Sequence, residues 1–134
     1  MQRVNERLSS CGRALDTLEQ IVAEPFNVIV RDAAIQRFEY SFEVVWKLLK
    51  VYLNVVEGVV CNSPKRCFRE GYALELLSEQ DTQTLLLMTE DRNLTAHTYV
   101  EGVADTIYGR LSSYSEVMRR LFVALQTRIA QGET

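Results

Sequence analysis

The one histidine of the chain, His97, stands in the run Asp91-Arg92-Asn93-Leu94-Thr95-Ala96-His97-Thr98-Tyr99. Its neighbours are residue types that phosphodiester chemistry uses. An arginine offers a planar fork of donors to phosphate oxygens. An imidazole gives or takes a proton near neutral pH. Arg92 precedes His97 by five positions and Tyr99 follows it by two. Five steps on a straight helix turn through about 500°, so these side chains are not stacked. A helix end near His97 bends the chain and brings them together. Arg92 then neutralises a phosphate as charge builds. Asn93 orients a phosphate oxygen or the histidine, and His97 moves the proton. A histidine at a helix end serves equally as a cap or a packing residue, and spacing alone leaves both readings open.

Lys65, Arg66 and Arg69 open a further segment. They either line a phosphate-binding groove, as a weak nucleic-acid contact, or form a solvated face. Glu39 and Glu43, beside Arg37 and Lys47, are accounted for by ion pairs one helical turn apart. Phe38, Phe42 and Trp46 read as core. There is no Gly-rich phosphate loop, no His-Glu-x-x-His and no paired cysteine motif, so neither a metal nor a cofactor is expected. The three cysteines, Cys11, Cys61 and Cys67, are few and odd in number, which reads as a reducing compartment.

Positioning the Arg92–Tyr99 run falls to a set of helices. Val4, Leu8, Cys11, Leu15, Leu18 and Val22 recur at steps of four and three, one apolar stripe on a helix over roughly 3–23. Pro25 ends it, because the residue before proline avoids the helical region. A second helix over roughly 28–57 carries Ile35, Phe38, Phe42, Val45, Trp46, Leu49, Leu53 and Val56, widened by Ala34, Val44, Leu48, Val51 and Val55. Apolar on more than one side, it is the central helix. Gly58 stops it. Ser63-Pro64 then signals a third helix over roughly 64–77, with Cys67, Phe68, Tyr72, Leu74 and Leu77. Asp81 is the expected N-cap of a fourth, reaching about Ala96. Thr98-Tyr99-Val100-Glu101 fits a capping box, which predicts that the last helix begins at Tyr99. Its stripe is Val103, Ile107, Leu111, Tyr114, Met118, Leu121, Leu125 and Ile129, and the tail 131–134 is expected to fray. These signals predict an all-α fold, an antiparallel bundle of about five helices forming a single domain over 1–134. The stripes of the first and last helices are also suited to a dimer contact.

Composition limits the function classes. Of 134 residues, 47% are hydrophobic and 25% charged, with 2 prolines and 6 glycines, which excludes fibrous and Pro/Gly-rich disordered classes. A net charge of −3 argues against a general electrostatic nucleic-acid binder and leaves a local basic patch open. The start lacks the apolar core of a signal peptide, and no apolar run reaches the 18 or so residues of a membrane span. A cytoplasmic protein without a membrane partner is expected.

Residues Ile35-Gln36-Arg37-Phe38-Glu39-Tyr40, Phe42-Glu43, Trp46-Lys47, Ser63-Pro64-Lys65, Arg69-Glu70 and above all Asp91–Tyr99 carry a likeness to a known family. From about Leu15 to Leu125 the sequence resembles the HEPN superfamily, in particular the nucleotidyltransferase substrate-binding proteins close to the HepT toxins. Arg92, Asn93 and His97 fill the family signature, and Tyr99 completes its Arg-x4-His-x-Tyr form. The resemblance implies a helical bundle that forms a homodimer with both motifs facing one cleft, and a separately encoded minimal nucleotidyltransferase as cognate partner. HepT-like members are metal-independent ribonucleases, and their partner inactivates them by adding AMP to the motif tyrosine. Two functions follow: a ribonuclease toxin, with RNA as substrate and Tyr99 as the modified residue, or a non-catalytic substrate-binding subunit of a two-component nucleotidyltransferase. In a two-fold dimer a second His97 supplies the acid or base that one chain lacks.

Overall fold

The computed structural model describes residues 1–132 and consists of helices α1 (Gln2–Val22), α2 (Val28–Glu57), α3 (Pro64–Ala73), α4 (Glu79–Leu94) and α5 (Glu101–Gly132), with a 3-10 turn at Thr95–His97. No strand occurs among the described residues. Local chemistry sets several boundaries. The Asn27 side chain accepts from the Val30 amide at 2.8 Å and starts α2. Gly58, at φ 68°, closes α2 in the left-handed conformation that a side chain disfavours. Ser63 caps α3, with Pro64 in its first turn. Gln131 and Gly132 continue α5, so the fraying expected from 131 does not begin there; Glu133 and Thr134 lie outside the described residues.

Other boundaries differ from the sequence expectation. α4 starts a turn early: the Ser78 side chain accepts from the Asp81 amide at 3.0 Å. Asp81 instead binds Arg120 of α5 at 2.8 Å. α3 is shorter than predicted and ends in a turn with Glu75 at φ 61°. The capping box does not form. The Thr98 hydroxyl donates to the Thr95 carbonyl at 3.3 Å, and Arg31 of α2 takes the Glu101 carboxylate at 2.9 Å. α5 therefore begins at Glu101, and Tyr99 precedes it. Cys61 and Cys67 form a disulfide, while Cys11 is free and buried. The small, odd count carries no sign of that pairing, since the two cysteines meet only once the α2–α3 loop folds back on α3.

α1 and α2 form an antiparallel hairpin, tied where Arg37 donates to the Thr17 carbonyl at 2.8 Å and Ser41 to the Ala14 carbonyl at 3.2 Å. α4 and α5 form a second. α2 and α5 run side by side in the same direction, as Arg31 meets Glu101 and Asp105, and Phe38 meets Tyr114 at 5.7 Å between ring centres. α5 also crosses α1, where Arg119 binds Asp16 and Glu19. Phe38, Phe42, Phe68, Leu48, Leu49 and Met118 fill the space between. Each such side chain contributes about 1.5–3 kcal/mol through burial. The stripes of α1 and α5 face this interior and are not available to a second chain. Val55, Val56 and Tyr72, expected on core stripes, are exposed. The hairpin register sets the start of α1 opposite the Val51 turn, so the last turn of α2 has no α1 neighbour. Trp46 is half-buried and donates to Glu43 at 3.2 Å.

Candidate functional site

The end of α4 is anchored by Asp91, only 2% exposed. Its carboxylate receives Arg110 at 2.8 and 3.0 Å and the Tyr114 hydroxyl at 2.5 Å. Burial, then the Asp91 carboxylate, pushes the Tyr114 phenol well above its ordinary range. The sequence reading missed this anchor. The signal for it was an acidic residue at position 91 in the register of Leu85 and Met88, where an apolar residue is expected.

With Asp91 turned toward α5, Arg92 faces α2. Its guanidinium lies 3.5 Å from Glu43 and 3.4 Å from the Thr95 hydroxyl. The side chain is 30% exposed, and its Nε is buried without a hydrogen-bond partner. Arg92 edges an open groove lined by Gln36, Glu39, Tyr40, Glu43 and Val44 of α2. Glu43 does pair with Lys47 at 3.5 Å, as local spacing predicted, but it also faces Arg92.

The chain then tightens into the 3-10 turn, with the Thr95 hydroxyl donating to the Arg92 carbonyl at 2.7 Å. His97 is exposed at the end of this turn. Its Nδ1 lies 3.5 Å from the Tyr99 hydroxyl, and the two rings meet edge to face at 6.0 Å. Tyr99 is 81% exposed. Asn93 is exposed on the last turn of α4. The structure therefore gathers His97 and Tyr99, while Arg92 turns to Glu43. The second end of the loop is held by Arg31, whose side chain is 4% exposed and binds Asp32, Glu101 and Asp105 at 2.9–3.0 Å.

Of the three basic residues opening α3, Lys65 binds Glu90 of α4 at 3.2 Å, two residues ahead of Arg92. Arg66 and Arg69 are exposed, and Arg66 lines a separate cleft with Cys61. No group of three His, Cys, Asp or Glu side chains among the described residues converges to hold a metal ion. No described helix is long and apolar enough to cross a membrane.

A bundle of this topology, with a polar turn between its last two helices, has the fold of a helical substrate-binding domain. It superposes with TM-score 0.74 on a Haemophilus influenzae protein described as revealing the fold of a substrate-binding domain of a nucleotidyltransferase; identity is 23%, over 89% of this chain and 98% of that one. The chain belongs to the family described as nucleotidyltransferase substrate binding protein like, whose model matches residues 6–127. The crystal structure of a protein from Thermus thermophilus is 40% identical, with TM-score 0.83, over 86% of this chain and 98% of that one. No curated protein matches the sequence.

Proposed function

We propose that this chain is the substrate-binding subunit of a two-component nucleotidyltransferase, working beside a separate minimal transferase. Its working surface is the Arg92 groove together with the turn that carries His97 and Tyr99. The observation that carries this reading is the divergence of the two reactive groups. Arg92 is held toward Glu43, and His97 toward Tyr99. Cleavage by acid–base catalysis needs the phosphate-binding cation and the proton-transfer group on one reacting centre. Holding a substrate does not. Glu39 and Glu43 on the groove wall also repel an RNA phosphate chain.

A second reading is favoured by one observation. The Tyr99 hydroxyl is open to solvent and 3.5 Å from an imidazole nitrogen able to take its proton. That geometry suits nucleotidyl transfer to Tyr99, as in a ribonuclease toxin regulated by AMP addition. There, a homodimer would complete the site with a second His97, and Arg92 and Asn93 would hold the RNA phosphate. The experiment that separates the two is incubation of the purified chain with RNA in the absence of metal, beside Arg92→Ala and His97→Ala. Intact RNA with all three proteins is the expected result. Cleavage by the wild-type chain that both variants lose overturns the first reading and establishes the second.

A further inference from the structure

We infer that the Cys61–Cys67 pair is a thiol–disulfide exchange site for a small anionic thiol of the glutathione class, attacked at Cys61. Three features carry this. The two cysteines are bonded across the segment that enters α3. An open cleft of about 420 Å³ is lined by Val60, Cys61, Asn62, Ser63 and Arg66, and Cys67 does not line it. Arg66 is exposed on that cleft and offers its guanidinium to a carboxylate.

Both cysteines are buried, Cys61 at 2% exposure and Cys67 at 0%, and they differ in surroundings, since Cys61 alone lines the open cleft. Cys61 lies in a loop whose neighbours Val60, Asn62 and Ser63 are exposed, so local opening of that loop presents it to solvent. Cys67 is fully buried on the inner face of α3 beside Phe68. An incoming thiolate attacks the Cys61 sulfur and forms a mixed disulfide. The Cys61–Cys67 bond breaks, its electron pair goes to the Cys67 sulfur, and that sulfur takes up a proton. A second small thiolate then attacks the small-molecule sulfur of the mixed disulfide. Cys61 leaves as a thiolate, and the two small thiols depart as their disulfide. The cysteine pair is reduced by two electrons and two small thiols are oxidised; the reverse sequence uses the small disulfide as oxidant.

Contacts other than this bond also hold α3 to the bundle. Phe68 packs against Phe42 at 6.0 Å between ring centres, and Gly71 lies beside Leu49. What the bond ties down is the start of α3, whose Lys65 holds Glu90 just ahead of Arg92. Exchange at Cys61 thus reaches the Arg92 groove through α3 and α4, without touching the groove itself.

The test uses the purified full chain in buffers of graded reduced and oxidised glutathione, quenched under denaturing conditions with an alkylating agent and weighed. The chain has three cysteines, so alkylation of all three marks the open form and alkylation of Cys11 alone the closed one. The expected result is a single transition between these forms, with helix content unchanged. Cys67→Ser is expected to accumulate one glutathionyl group, mapped to Cys61. Adding Arg66→Ala to that variant is expected to slow adduct formation with oxidised glutathione several-fold and to leave the rate with neutral hydroxyethyl disulfide unchanged. Three alkylated thiols at every glutathione ratio, an adduct on Cys11 in place of Cys61, or the same rate change for both disulfides overturns the proposal.

Discussion

The Glu101 carboxylate lies 2.9 Å from the guanidinium of Arg31, seventy residues earlier in the chain. This contact joins the first turn of α5 to the first turn of α2 and decides where α5 begins. Asp105, one helical turn along, binds the same guanidinium at 2.9 Å. Glu101 is thereby withdrawn from Thr98, and the three residues before it stay outside the helix. Tyr99 is exposed for that reason. Arg31→Ala is expected to lower the melting temperature and to speed amide exchange across residues 98–102 more than anywhere in α1. Uniform exchange across the bundle would count against this role.

Asp91 carries more of the fold than its neighbours in the motif. Replacing it with alanine leaves the Tyr114 hydroxyl buried without its acceptor and Arg110 without its partner. The expected loss is about 3 kcal/mol in a denaturant titration. Asn93→Ala, at an exposed position, is expected to change stability by less than about 0.5 kcal/mol.

Gly12 of α1 lies against the Phe122 ring of α5. A Cβ there would meet the Phe122 ring at 3.1 Å. Gly12→Leu is therefore expected to force the two helices apart and cost about 2 kcal/mol. Gly109, with open space at the same position, serves as the control. Gly109→Leu is expected to hold or raise stability, since leucine favours a helix over glycine.

Cys11 gives the fold an alkaline limit. Burial pushes its thiol from 9.0 up to about 12, partly opposed by Arg119. Above pH 9 the unfolded chain releases this proton and the folded chain keeps it. The stabilisation is complete below pH 9 and is lost as pH rises toward 12, with a limiting slope of about 1.4 kcal/mol per pH unit. Cys11→Ala removes the effect. The stability gap between wild type and Cys11→Ala is expected to narrow between pH 8 and pH 10.5 in urea titrations. A gap that stays constant would show that the thiol ionises alike in both states.

Arg92→Ala and His97→Ala are expected to leave helix content unchanged, as neither side chain is part of the core. If Arg92 holds a phosphate, its loss weakens substrate binding about tenfold, the worth of one charge-assisted hydrogen bond. In a ribonuclease the same change lowers the cleavage rate about 10²-fold or more. Tyr99→Phe is expected to block any AMP addition by the cognate transferase with ATP, read by peptide mass mapping. Label on the Tyr99→Phe protein would place the acceptor elsewhere.

The α2 boundaries, the Ser63-Pro64 start of α3 and the apolar stripe of α5 were legible from the chain alone. Each depends on residues within about four positions: a cap, a glycine beyond the last turn, or a repeat at helical spacing. The order Arg92, Asn93, His97, Tyr99 is likewise a property of the sequence, and so is the family likeness it carries. What those residues face was not. Asp81 caps nothing because Ser78 caps α4 three residues earlier, Glu101 caps nothing because Arg31 holds it, and Arg92 faces Glu43 rather than His97. For Glu101 and Arg92, local partners compete for one charged group, and a residue brought in by helix packing displaces them. Ion pairs and disulfides join whatever the fold sets side by side, so Cys61 with Cys67 and Asp91 with Tyr114 were decided by tertiary structure.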